Sequence, residues 1–374
     1  MIPNNLERGC TPRVLQFVPG FFSGGIESLL MGLLRCMDNS RLQFDFLVDT
    51  QEALPEFEEI RSAGGRVFQL GRFLDAPFRY QREVGRILDT YSEEYLAVHC
   101  HTVIRALPIL LAARRRGIRK RILHSHTDSL QGSRQALIAP AISAATAPLA
   151  TDFWACSDAA GRFFFGRRAF KVFRNTIRTS QFAFDSDDRS RVRLRLGIDS
   201  CDLVIGHTGR FTFQKNHDWL IRVFASLHAQ CPNTRLLLVG EGPLKAEMRS
   251  LTEALGVADA VCFVGLQSDV AAYLSAMDVF FLPSHYEGFC ISLLEAQANG
   301  LPCLAADVIQ DDVQVTPLVR TCSLDEPLEH WTDALMGLAD RKQDRKGSNV
   351  EIIRTAGFDT ALQLEQLIDM YHQS

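Results

Sequence analysis

A short apolar run, then a turn, then an amphipathic stretch: this unit repeats along most of the chain and decides much of what it can fold into. Mainly apolar runs stand at Val14–Val18, Phe44–Val48, Val67–Leu70, Leu96–Cys100, Arg121–Leu123, Phe153–Cys156 and Ala169–Phe173. The pattern resumes at Leu203–His207, Leu236–Val239, Val261–Val264, Val279–Leu282 and Pro302–Ala305. Helix-period stretches such as Ile26–Cys36, Arg82–Tyr91 and His217–Ala229 fill the gaps. Strands this short and apolar, alternating with helices, belong in parallel sheets covered on both faces.

The pattern pauses between Asn175 and Leu196, where Asp185-Ser-Asp-Asp-Arg189 is too charged for a buried strand. A linker near residues 176–186 is therefore expected. It divides the chain into an N-terminal domain, residues 1–180, and a C-terminal domain, residues 181–350. Both are read as doubly wound α/β folds facing a cleft. Residues 351–374 follow as a final helix, with Ile353, Ala356, Ala361, Leu364, Leu367 and Ile368 at helical spacing. This helix is expected to pack back on the N-terminal domain. In such sheets ligands bind beyond the carboxyl ends of the strands.

Charge separates the halves. Residues 1–184 hold 24 Lys+Arg and 17 Asp+Glu, a net of 24 − 17 = +7. Residues 185–374 hold 16 and 27, a net of 16 − 27 = −11, and the two sum to the chain's −4. The basic half suits an anionic lipid surface or a phosphorylated acceptor. Arg114–Arg121, with six cations in eight residues, is the candidate contact; cations closing a helix would look the same. None of the ten cysteines forms a Cys-x-x-Cys pair, so reduced, buried thiols are expected. Met1–Thr11 is polar, unlike a secretory leader, and no run of about 20 apolar residues is present. A cytoplasmic protein is the expectation.

Two segments carry chemistry. Pro283-Ser-His-Tyr-Glu-Gly-Phe-Cys290 follows a strand, and a helix from about Ile291 to Asn299 comes next. Glu287 and Glu295 thus flank a helix N-terminus. Carboxylates accept from hydroxyl-rich ligands, and free N–H groups at a helix start accept anions. Gly206-His-Thr-Gly-Arg-Phe-Thr-Phe-Gln-Lys-Asn216 follows the first strand of the second half. Its Arg210 and Lys215 can neutralise a diphosphate leaving group without a metal. Gly24-Gly25 follows the first strand, without the Gly-x-Gly-x-x-Gly spacing of a dinucleotide site. His99, His101, His124 and His126 end two strands, but no further ligand stands at metal-binding spacing. Val239-Gly-Glu-Gly-Pro243 reads as a structural strand-to-helix turn.

The arrangement Arg210-x4-Lys215 followed by Glu287-x7-Glu295 resembles glycosyltransferase family 4, whose members are retaining enzymes of GT-B fold with two Rossmann-like domains. Gly209-Arg-Phe-x3-Lys215-Asn216-His217, Val239-Gly-Glu-Gly-Pro243 and Ser268-Asp269-Val270 resemble its bacterial capsular and exopolysaccharide branch. In the first half the likeness rests on Gly24-Gly25-Ile26-Glu27 and His124-Ser-His126.

The resemblance implies roles. Arg210 and Lys215 would hold the nucleotide diphosphate, Glu287 the donor-sugar hydroxyls and Glu295 the ribose. Backbone groups of Phe289, Cys290 and Ile291 would touch sugar and phosphate, with Gly24 and Gly25 close by. Many members have glycine where this chain has Cys290. His124 would face the reacting sugar, with His126 as the alternative. The implied donor is a nucleotide sugar, UDP-linked by expectation, with no metal or other cofactor. The implied acceptor is a saccharide or lipid-pyrophosphate-saccharide, with peripheral contact at the inner face of a membrane and no nucleic-acid partner. Two rival readings are a sugar-nucleotide epimerase of the same fold and an inactive partner subunit of a transferase.

Overall fold

The computed structural model describes residues 11–20, 25–126, 135–287, 289–339, 345 and 348–373. The chain divides into two compact units. One comprises residues 1–176 and 360–374, the other residues 177–359. The division differs from the expected boundaries at the C-terminus. Residues 351–374 are not one helix: Ser348–Ile353 and Thr360–His372 are separate, broken at Gly357, whose φ of 87° is left-handed. Only the second helix belongs with the N-terminal residues.

Among the described residues the first unit holds seven parallel strands: β1 (Arg13–Val18), β2 (Gln43–Val48), β3 (Val67–Gln69), β4 (Tyr95–Cys100), β5 (Lys120–Ser125), β6 (Asp152–Ala155) and β7 (Lys171–Val172). Their order is β3-β2-β1-β4-β5-β6-β7, so the winding reverses between β1 and β4. Apolar side chains of β1, β2 and the Gly25–Cys36 helix form the core with Leu364, Leu367, Ile368 and Tyr371 of the last helix. That helix thus completes the N-terminal unit, as expected. Asp45, fully buried on β2, is held by Arg13, Arg66 and the Tyr95 hydroxyl.

Among the described residues the second unit holds six parallel strands: β8 (Leu203–Thr208), β9 (Thr234–Val239), β10 (Val261–Gly265), β11 (Val279–Leu282), β12 (Cys303–Ala306) and β13 (Val319–Cys322). The order is β10-β9-β8-β11-β12-β13, and the reversal lies between β8 and β11. β13, a mostly exposed edge strand of sequence Val-Arg-Thr-Cys, lacks the apolar run that marks the others. The expected linker is largely structured. Thr179–Phe182 forms a 3-10 turn, and Asp185 caps the Ser186–Leu196 helix by accepting from the N–H groups of Asp187 and Asp188 at 2.8 Å each.

The basic segment Arg114–Arg121 is only partly a surface patch. Lys120 is buried, and its ammonium donates to the Met370 and Gln373 carbonyls. Arg121 binds the Leu149 and Ile118 carbonyls at 2.6 Å each, and Arg116 pairs with Asp89 at 2.7 Å. Arg114, Arg115 and Arg119 remain exposed. The segment also lies at the amino-terminal end of β5, the edge opposite to that of His124. Among the described residues no helix is long and apolar enough to cross a membrane. Ala136–Ala150 falls on a helix, Gln135–Thr146, that contains Pro140, and on a following 3-10 turn.

Candidate active site

Both chemical segments of the second unit lie beyond the carboxyl ends of β8 and β11, the pair where the winding reverses. Such a reversal leaves a crevice between loops that diverge to opposite faces. After β8, Phe213–Lys215 forms a 3-10 turn, and Asn216 takes a left-handed φ of 53° to start the His217–Gln230 helix. After β11, the loop reaches Glu287 before the Ile291–Ala298 helix begins.

The two loops meet in a buried ion pair. Lys215 Nζ lies 2.6 Å from Glu287 Oε1, with side-chain exposures of 16% and 5%. Glu287 also accepts from Ser284 Oγ at 2.7 Å and from Gln214 Nε2 at 3.2 Å. A backbone bond from His285 N to Gln214 O, 2.8 Å, ties the loops further. Burial acts to lower the Lys215 ammonium, but the Glu287 carboxylate outweighs it and holds Lys215 above its usual range. Arg210, by contrast, is exposed and has no ion-pair partner among the described residues. The two cations expected to act alike are thus differently placed: Lys215 is already compensated, and Arg210 carries the uncompensated charge.

Glu295 sits in the second turn of the Ile291–Ala298 helix, partly buried. Burial pushes its carboxyl up to about 8, against an opposing pull from Lys215. Cys290 precedes the helix, 2% exposed, and burial pushes its thiol up to about 12, so it is inert. The Ile291 N–H turns back to the Phe289 carbonyl at 3.1 Å, and the Phe289 ring packs 5.9 Å from that of Phe358. The Phe289 side chain is therefore structural, and the Ile291 N–H is already occupied.

Val239–Pro243 does more than turn the chain. Gly209 N donates to Val239 O and Phe211 N to Glu241 O, at 3.0 Å each, so this loop cradles the one carrying Arg210. A Cβ on Gly240 would lie 2.1 Å from the Gly209 carbonyl oxygen. Gly240→Ala is expected to push Arg210 out of place and weaken binding of a nucleotide diphosphate by about tenfold or more, since small misplacements are costly in preorganised sites. Titration calorimetry with UDP checks this; unchanged affinity would show that the cradle does not position the site.

In the first unit, Gly24 lies outside the described residues, as does Gly288 in the second. Gly25 opens its helix at an exposed position. The four histidines stand together at the carboxyl ends of β4 and β5. His124, expected to face a ligand, is fully buried, with Nδ1 3.1 Å from His99 Nε2. His126, just past β5, is the partly exposed member of its pair. Burial holds all four neutral, His126 down at about 3. His99, His101 and His124 bring ring nitrogens within 4.8 Å of one another, close enough for one transition-metal ion. Both ring nitrogens of His99 and of His101 already bond to Tyr371, His124, His126 or Gln16, and His124 Nδ1 is taken by His99. Gln16, Tyr371, Ser284 and Gln214 carry no motif signal, since their partners lie far away in sequence.

Known proteins give the family. The family described as glycosyl transferases group 1 matches residues 188–318, the segment that holds Arg210, Lys215, Glu287 and Glu295. EpsF of Bacillus subtilis (strain 168), a glycosyltransferase by its name, is 32% identical over 375 residues, covering 97% of each chain. The chain belongs to the group 1 glycosyltransferases. The Vi polysaccharide biosynthesis protein VipC/TviE of Salmonella typhi is 33% identical over 156 residues, 38% of this chain and 27% of that protein. Anabaena Alr3699/HepE in complex with UDP and glucose superposes with a TM-score of 0.79 at 19% identity, over 96% of this chain and 99% of its own. WaaG, a glycosyltransferase involved in lipopolysaccharide biosynthesis, gives 0.73 at 17% identity over 96% and 100%. The fold of this glycosyltransferase is thus GT-B.

Proposed function

We propose that this glycosyltransferase moves a sugar from a nucleoside-diphosphate donor to a saccharide acceptor, with retained anomeric configuration and without a metal, in cell-surface polysaccharide synthesis. The observation that carries the reading is the buried Lys215–Glu287 pair at the winding reversal, with Arg210 exposed on the same loop. Arg210 and Lys215 bind the diphosphate, Glu295 the ribose and Glu287 the donor sugar. The backbone at Phe289 and Cys290 approaches sugar and phosphate. The leaving diphosphate, stabilised by the two cations, takes the acceptor proton, so no separate protein base is required. The Vi protein's name supports polysaccharide synthesis. HepE, solved with UDP and with UDP-glucose, makes UDP sugars the first donors to try.

The test is turnover of UDP sugars with free and lipid-pyrophosphate-linked saccharides, with the product anomer read by NMR. Retention is expected, and inversion would overturn the mechanism. Epimerised donor formed without acceptor would favour the epimerase reading. Transfer is expected to persist in excess chelator, because the paired cations do the work of a metal. Complete loss, restored by magnesium or manganese, would refute metal independence.

A further inference from the structure

A second cluster of metal-ligating side chains lies away from the candidate active site, at the far edge of the second sheet. Cys322 ends β13, Glu326 lies in the turn that follows, and His330 stands in the first turn of the Leu328–Ala339 helix. Cys322 Sγ, a Glu326 carboxylate oxygen and a His330 ring nitrogen all lie within 4.8 Å of one another. β13 is two strands removed from β11, and none of the three residues belongs to the loops that carry Arg210, Lys215 and Glu287. The backbone holds the cluster in place. Cys322 is 4% exposed, and its carbonyl accepts from Asp307 N at 2.9 Å, so the chain leaving β12 fixes it. The Ser323 carbonyl accepts from Glu326 N at 3.1 Å and from Nε1 of the buried Trp331 at 3.0 Å, which ties the turn to the helix. The Glu326 and His330 side chains, 39% and 47% exposed, keep room to adjust.

The contact within the cluster is not an ordinary ion pair. His330 Nε2 lies 3.1 Å from Glu326 Oε2, yet that oxygen is buried and without a hydrogen bond among the described residues. The two atoms are close but not aligned as donor and acceptor. Two ligands of one tetrahedral zinc ion stand in that relation. With bonds of about 2.0–2.1 Å to nitrogen and oxygen and about 2.3 Å to sulfur, neighbouring ligand atoms lie about 3.3 Å apart, or about 3.6 Å where one is sulfur. The histidine–glutamate spacing already matches. Closing the remainder from 4.8 Å takes about 1 Å of movement, which the exposed ends of Glu326 and His330 supply. A thiolate and a carboxylate balance a dication, and a sulfur–nitrogen–oxygen set suits zinc better than magnesium or calcium. Of the other charges facing Cys322, Arg320 and Asp307 are opposite in sign.

We propose that Cys322, Glu326 and His330 bind one zinc ion, with water in the fourth position, and that the ion clamps the edge strand β13 to the Leu328–Ala339 helix. Cys322 binds as the thiolate, and its proton passes to solvent. β13 lacks the apolar run of the other strands, so a bond from its last residue to the helix replaces burial that the strand does not supply. The ion takes no part in sugar transfer, and the site stands independently of the proposed function.

The test uses the full chain, stripped with chelator and exchanged into chelator-free buffer. It is titrated with zinc sulfate, and separately with cobalt(II), whose thiolate charge-transfer and visible bands report sulfur ligation and tetrahedral geometry. One zinc per chain is expected. The thermal midpoint should rise by about 5 °C at about a hundredfold excess over Kd. Cys322→Ser should abolish the charge-transfer band. His330→Ala and Glu326→Gln alter partly exposed side chains and so spare the fold. Each should weaken zinc by about tenfold or more, at least the worth of an outer-sphere partner. Transfer by His330→Ala should match the wild type. No zinc binding, cobalt binding without the sulfur band, or equal zinc affinity in wild type and variants would overturn the site. An unmoved thermal midpoint with zinc bound would overturn the clamp.

Discussion

Lys215→Ala is expected to damage both stability and transfer, whereas Arg210→Ala should damage transfer alone. Removing the Lys215 ammonium leaves Glu287, 5% exposed at its side chain, as a buried charge held, among the described residues, by Ser284 and Gln214. Breaking one side of a buried pair costs about 3–5 kcal/mol. The urea midpoint should fall accordingly. Loss of a preorganised cation at a developing charge costs a further 2–4 kcal/mol or so in the transition state, a tenfold or greater fall in transfer. Arg210 is exposed, so its removal should leave the unfolding curve in place while transfer falls comparably. Lys215→Met combined with Glu287→Gln should regain much of the stability and none of the activity. Near-wild-type turnover in both single variants would remove the diphosphate assignment. An unmoved urea midpoint in Lys215→Ala would show that the pair contributes little to folding.

What was legible in the sequence followed from what each residue needs locally. Parallel strands covered on both faces need continuous apolar runs, so among the described residues twelve of the thirteen strands announce themselves, the short exposed β7 through the apolar residues around it, and the edge strand β13 does not. The loop residues Arg210, Lys215, Glu287 and Glu295 are legible because a diphosphate and a sugar demand charge at fixed distances from strand ends. Their inequality is not legible. Spacing cannot say that Lys215 is spoken for by Glu287, since that pairing spans 72 positions. The same limit hid Gln16 and Tyr371, which are 355 positions apart and meet because the last helix returns to the first sheet. Charge counting could not tell exposed from buried cations at Arg114–Arg121. A cation at the start of a strand can serve carbonyls of a neighbouring element, as Lys120 does, and is then not an exposed contact for a ligand or a membrane.

Glu295 offers the second large effect, through pH. Burial, opposed by Lys215, lifts its carboxyl from the ordinary 4.5 to about 8, so the ligand-free protein holds it mostly protonated at neutrality. The folded value lies above the unfolded one. The stability contributed by the bound proton is therefore fully present below about 4.5 and is lost as pH rises to about 8. A ribose diol donating to the carboxylate favours the charged form. Nucleotide binding should thus expel a proton near pH 7, and affinity should climb with pH, by at most about tenfold per unit, then level off once Glu295 is ionised in the free protein. Calorimetric titration with UDP in two buffers of different ionisation enthalpy counts the proton directly. Glu295→Gln should abolish both the proton release and the pH slope and weaken UDP itself. Glu287→Gln should leave UDP affinity nearly intact and reduce transfer, because its partner is the sugar. Proton release that survives in Glu295→Gln, or equal losses of UDP affinity in the two variants, would mean that the ribose is held elsewhere.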